Sequence, residues 1–144
     1  MNTPGEWTAV RAGLIAVAAL ILLAVVGWRV QDAVQEDQDP FEVLTICLRF
    51  EQGLPLEIPP RDPIARSAER GALRTSIETN GVTVSVGDSR ADAERIAATY
   101  RSLLGDLGPR LEVRGTSVFL WDGPPEPTQR QALFDCTFVP REYR

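Results

Sequence analysis

Histidine and lysine are both missing from this 144-residue chain, and cysteine occurs only twice. Without histidine the chain lacks the commonest general base, the usual activator of a serine or cysteine nucleophile, and the commonest zinc ligand. Without lysine, Schiff-base chemistry and a phosphate-binding P-loop are excluded as well. Carboxylates, hydroxyls and arginine remain, which leaves glycosidase-like or metal-carboxylate chemistry as the catalytic options. The acids at Glu57, Asp62, Glu78, Asp88, Glu112 and Asp122 are scattered. No pair among them has the spacing of a calcium loop or a catalytic dyad, so no catalysis, metal or cofactor is expected. The net charge is -5 and no run of basic residues occurs, so nucleic acid is not an expected partner. All 15 basic residues are arginine, a bias that fits a GC-rich genome better than any demand for guanidinium chemistry.

One long stretch also lacks polar and charged side chains. Residues 12–28 form an apolar run which, with Thr8 to Arg11, reaches the roughly 20 residues needed to cross a hydrocarbon core. Trp7 and Trp28 bracket it, about 21 residues or roughly 31 Å of helix apart, the separation of two aromatic belts. Arg11 and Arg29 stand at the two interfaces, Arg11 with its stem in the apolar layer. A cleaved signal peptide is the alternative, but its apolar region is usually shorter and ends in small residues, whereas this run ends in Gly27-Trp28-Arg29. The expected organisation is a short tail over 1–11, a transmembrane helix over 12–28, an acidic juxtamembrane linker over 29–39 and a domain over 40–144. The linker acids Asp32, Glu36, Asp37 and Asp39 would hold that domain off anionic headgroups.

Flanking charge does not orient the span, because Arg11 and Arg29 balance. Cys47 and Cys136 favour a direction. They lie too far apart for a CxxC redox motif or a paired-thiolate zinc site, and a disulfide is the economical reading, with two separate buried thiols as the alternative. Disulfides persist outside the cytosol, so the expected topology is a cytoplasmic N-terminus and an extracytoplasmic domain.

Within the domain, Asp39-Pro40-Phe41-Glu42 is a helix start, and Phe41, Leu44, Cys47, Leu48 and Glu51 follow one stripe. Val43, Ile46 and Phe50 widen the apolar face, which predicts a well-buried helix ending at Gly53. Leu54 to Pro60 reads as an extended or edge segment, and Asp62-Pro63 starts a short helix to Arg70. From Leu73 the apolar period becomes two, and Asn80-Gly81 predicts a hairpin loop that sets Thr79 opposite Val82 and Ile77 opposite Val84. Ser89 to Asp92 caps a helix with its apolar stripe at Ala93, Ile96, Ala97, Tyr100, Leu103, Leu104 and Leu107. A second hairpin, with Gly115-Thr116 as its loop, pairs Val113 with Val118 and Leu111 with Leu120; a helix over Thr128 to Cys136 closes the chain. The expected fold is α+β, with a four-stranded antiparallel sheet and helices on one face. Asn80-Gly81 and Arg114-Gly115 also form an internal echo at an offset of about 34 residues, which either a duplication or chance explains.

The second hairpin places Phe119 and Trp121 on the face shared by Glu112, Arg114 and Ser117. Two readings follow: a second small core covered by the first helix or by Leu54, Leu56 and Ile58, or an exposed aromatic patch that binds a partner. Gly87 to Arg90 is a weaker candidate for an anion at a helix N-terminus, opposed by Asp88.

The helix with Cys47-Leu48, the Arg114-Gly115 hairpin, Trp121-Asp122-Gly123 and Asp135-Cys136 together resemble a loose group of small single-span bacterial envelope domains of unassigned function. The resemblance covers most of residues 43 to 138. It implies an envelope location and a disulfide, and it lends no catalytic or ligand residue. The functional expectation is a membrane-anchored interaction or structural module that touches the bilayer through 12–28 and an envelope protein through its domain. A small-ligand-binding domain or sensor subunit is the runner-up.

Overall fold

The computed structural model describes residues 38–137. The expected span over 12–28, its interface residues Trp7, Arg11, Trp28 and Arg29, and most of the acidic linker lie outside them. Among the described residues no helix is long and apolar enough to cross a membrane.

A compact unit begins at Asp39. Its carboxylate accepts a hydrogen bond from the Phe41 N–H at 3.0 Å, and Pro40 occupies the first turn of α1 (Pro40–Ile46), as the sequence predicts. The helix continues as one π-helical stretch over Cys47–Glu51. The segment after Gly53 runs extended and meets the outer edge of β1 through a single bridge, where Glu57 and Arg74 exchange two 2.9 Å backbone hydrogen bonds. It blunts an edge that would otherwise offer a row of unpaired backbone groups. The helix expected from Asp62 to Arg70 is shorter, one 3-10 turn over Ala65–Ser67, because Ala68 turns extended and the next donors are taken by distant partners, the Glu69 N–H by Asp92 and the Arg70 N–H by the Val86 carbonyl.

The sheet has four antiparallel strands in the order β1-β2-β4-β3: β1 (Gly71–Ile77), β2 (Asn80–Val86), β3 (Leu111–Arg114) and β4 (Ser117–Trp121). The second hairpin has the predicted register, Val113 opposite Val118 and Leu111 opposite Leu120, with Gly115 at φ 57° in its loop. The first hairpin does not. Ile77 pairs with Asn80 rather than Val84, so the loop is Glu78-Thr79, two residues earlier than expected, and the pairing is displaced by four residues. Glu78 takes the positive φ instead, at 56°.

Tertiary contacts explain the displacement. The Asn80 amide donates to the Gly123 carbonyl at 3.1 Å and to Gln129 Oε1 at 3.2 Å, and its oxygen accepts from the Gly123 N–H. Gly81 lies under the Arg74–Asp122 ion pair, where a Cβ would come within 2.2 Å of Asp122 Oδ2. Both residues serve the approach of the segment that follows β4, from Asp122 to Gln129, rather than the turn. Because the shift is even, every side chain keeps its face. The internal echo also loses its structural meaning, since Gly81 sits inside a strand and Gly115 in a loop. Replacing Asn80 with alanine removes three hydrogen bonds at a half-buried site and is expected to cost about 1–3 kcal/mol in urea unfolding, with an unchanged midpoint arguing against this linchpin role.

Helices cover both faces of the sheet, not one. The 15-residue α2 (Arg90–Leu104) packs Ala93, Ile96, Ala97 and Tyr100 against Leu111 and Val118. On the opposite face, α1 with its π-helical extension and α3 (Pro127–Asp135) bury Leu44, Leu48 and Leu133 against Leu73, Val82, Val84, Phe119 and Trp121. The disulfide Cys47–Cys136 joins these two helices, with Cα atoms 5.4 Å apart.

Candidate functional site

Phe119 and Trp121, the sequence's candidate partner-binding residues, are both 0% exposed. Their face is closed by α3 and α1, and Leu54 and Leu56 pack against the same cluster. Of the two readings the second core is the one observed, and the exposed aromatic patch is corrected. The polar neighbours that made the face look open are also accounted for by α3. Arg130 Nε donates to Glu112 Oε1 at 2.7 Å, the Arg114 guanidinium lies 4.4 Å over the Phe134 ring, and Phe134 meets Phe119 at 5.5 Å between centroids. One signal in the sequence pointed to this outcome. Val118-Phe119-Leu120-Trp121 is an unbroken apolar run in a strand, the mark of a strand covered on both faces.

Cys47 and Cys136 are brought together as a disulfide and are both buried. The bond closes a span of 89 residues and holds α1 and α3 on one side of the sheet.

Among the described residues one carboxylate cluster has the compactness to hold a cation: Glu69, Asp88 and Asp92, with one oxygen each within 4.8 Å of the others. Asp92, however, is already satisfied. One of its oxygens takes the Arg95 guanidinium, the other accepts from the Glu69 N–H at 3.2 Å, and its own N–H is capped by Ser89. The charge of Asp88 lifts the Glu69 carboxyl above its ordinary range, helped by a hydrogen bond with Asp88 and by the charge of Asp92, while Arg95 acts in the opposite sense. The cluster therefore buttresses the start of α2 with its own counter-charge in place. The same residues occupy the helix N-terminus considered for an anion, since a Cβ on Gly87 would collide with Asp92 at 2.7 Å. Tyr100 is a second internal polar contact. Burial, and then the hydrogen bond its hydroxyl donates to Asp62 at 2.6 Å, keep Tyr100 protonated well above the usual phenol range.

Among the described residues, two of the surface recesses have the volume of a binding site. One, of about 460 Å³, lies between the Glu78-Thr79 hairpin loop and the start of α3, with Asn80, Asp122 and Gln129 in its wall. The other, of about 520 Å³, lies beyond the C-terminus of α2 and is lined by Arg101, Gly105, Asp106, Leu107, Gly108 and Leu111. Of the stripe predicted from sequence, Ala93, Ile96, Ala97 and Tyr100 are buried within α2 and Leu107 beyond its end, while Leu103 and Leu104 are not. Gly105 stops the helix at φ 77°, and its last turn leaves Leu103 68% and Leu104 55% exposed beside the second recess. Sequence periodicity missed this, because the stripe continues in phase from Tyr100 to Leu107 while the chain leaves the helix at Gly105 and Leu107 returns to the core from the loop.

The fold and surface thus define a small disulfide-clamped α+β domain with a sheet between two helical layers. Compared with known proteins, the chain matches no family model, and neither a curated protein nor a solved structure is similar to it.

Proposed function

We propose that this chain is a membrane-anchored extracytoplasmic interaction or structural module of the bacterial envelope, without catalysis of its own. The apolar run over 12–28 supports the anchor, and the Cys47–Cys136 disulfide supports an oxidising compartment for the domain. The observation that carries the interaction reading is the exposed Leu103–Leu104 pair at the free end of α2. It lies on the layer opposite α1, the helix that follows the linker. Two adjacent leucines in water beside a concave surface with both signs of charge, Arg101 and Asp106, match the apolar centre and polar rim of a small protein contact. Both recesses are open to solvent, a shape that favours a protein partner over an enclosed small ligand.

Leu103→Ser/Leu104→Ser is expected to leave thermal stability within about 0.5 kcal/mol of the parent, since neither side chain is packed. The same change should abolish a discrete adduct formed in living cells from a photo-crosslinker at position 101. An adduct pattern that survives the double substitution, or no adduct from the parent chain, sinks the reading.

A further inference from the structure

The second exposed apolar surface is on α1. Its buried stripe is Leu44, Cys47 and Leu48, while Ile46 is 48% and Phe50 75% exposed and Val43 is half-buried. The well-buried helix expected from sequence is therefore covered on one side only. Val43, Ile46 and Phe50 follow i, i+3, i+7 spacing and form one continuous patch next to Cys47.

The disulfide determines what lies nearest to this patch. Cys136 is bonded to Cys47 with Cα atoms 5.4 Å apart, and α3 ends one residue earlier at Asp135. Thr137 is tied back onto α3, its N–H to the Phe134 carbonyl at 3.1 Å and its hydroxyl to the Leu133 carbonyl at 3.0 Å. The chain thus leaves α3 beside the turn that carries Ile46 and Phe50. The residues that come next, Phe138-Val139-Pro140, are apolar, and Arg141 and Arg144 follow them. Val43 and Phe50 lie within roughly 6 Å of Cys47 along the helix axis, a distance two or three extended residues cover. Glu42 and Glu51, both exposed, flank the patch with charge opposite to that of the two arginines.

We propose that Phe138 and Val139 cover the Val43–Ile46–Phe50 face of their own chain, with Arg141 and Arg144 set against the acids of α1. This goes beyond the proposed function and does not depend on it. It assigns the α1 face to an intramolecular contact and leaves the Leu103–Leu104 end of α2 as the apolar surface open to a partner.

The test uses the full-length chain in its native membrane, with p-benzoylphenylalanine at position 50, a side chain close in shape to the native one. Irradiation, digestion and mass spectrometry should give an adduct between position 50 and the peptide containing Phe138 and Val139, in a band of monomer mass. Phe138→Ser/Val139→Ser should remove that adduct, and in the otherwise native chain it should speed hydrogen exchange of the α1 amides about tenfold, as loss of one buried aromatic contact implies. Retention of the disulfide in that variant, read from its mobility on a non-reducing gel, shows that the domain still folds. Adducts of dimer mass identify a second copy as the occupant, and adducts to lipid or to another protein identify those instead. Each of these outcomes overturns the proposal, as does unchanged exchange together with no adduct.

Discussion

Cys47→Ala/Cys136→Ala lowers the unfolding free energy by about 4–5 kcal/mol in the chain-entropy account, and by no less than about 2 kcal/mol once strain and residual structure are allowed for. The size follows from the 89-residue separation of the two half-cystines. Freed of the crosslink, the unfolded chain regains the conformations that the closed loop forbids, while alanine at two buried positions leaves no unpaired hydroxyl. A domain of about 100 residues has some 5–15 kcal/mol in total, so the double variant is expected to be partly unfolded near 37 °C. The bond also joins α1 to α3, and those two helices together close the face over Phe119 and Trp121. Urea denaturation of the parent and the variant checks the value, and coincident midpoints would falsify the clamp. A separate measurement addresses compartment: cysteines trapped in the reduced state in living cells would exclude an extracytoplasmic domain.

Trp121→Ala should cost about 3–5 kcal/mol, the range for deleting a fully buried aromatic side chain from a packed core. Trp121 is 0% exposed, stands opposite Val82 in the central strand pair and packs in the cluster that holds Leu133 and Phe119. The expected phenotype is loss of soluble, folded domain rather than loss of a partner, the reverse of what an exposed patch implies. Trp121→Phe makes a sharper comparison. The indole N–H is buried without a hydrogen-bond acceptor among the described residues, so removing it relieves an unfavourable burial that partly offsets the lost ring volume. Phenylalanine should therefore cost much less than alanine, by about 2 kcal/mol or more in thermal or urea unfolding. Equal effects of the two substitutions would show that packing at position 121 is unimportant.

Much of the local structure was legible in the residues themselves. Asp39-Pro40 and Ser89 start helices where they were expected to, and the Gly115-Thr116 loop sets the register of β3 and β4. Caps and tight turns depend on atoms a few residues apart, so sequence spacing carries the information. The Cys47–Cys136 pairing was legible for a different reason, since the chain offers no third cysteine. The Asn80-Gly81 loop failed because its best turn residues were recruited by Gly123, Gln129 and Asp122, partners more than 40 positions away. The candidate site failed for a related reason. Phe119 and Trp121 sit on a strand whose two faces are both apolar, and the polar side chains sharing one face with them, Glu112 and Arg114, have their partners on α3. Leu103 and Leu104 continue the helical stripe in phase, but phase does not show that the helix stops at Gly105 and that Leu107 fills the core in their place.

By itself the sequence determined most of the elements, the parity of each strand, the two cysteines that meet, and the apolar run over 12–28 that gives the chain its expected anchor. Tertiary structure alone decided which surfaces remain free. Periodicity records that a face is apolar, and an even slip in register, here of four residues, leaves that record unchanged. What covers the face is set by where distant helices dock. Here α1 and α3, pinned together by the disulfide, take the aromatic face and close it, and Leu103 and Leu104 at the end of α2 stay in water.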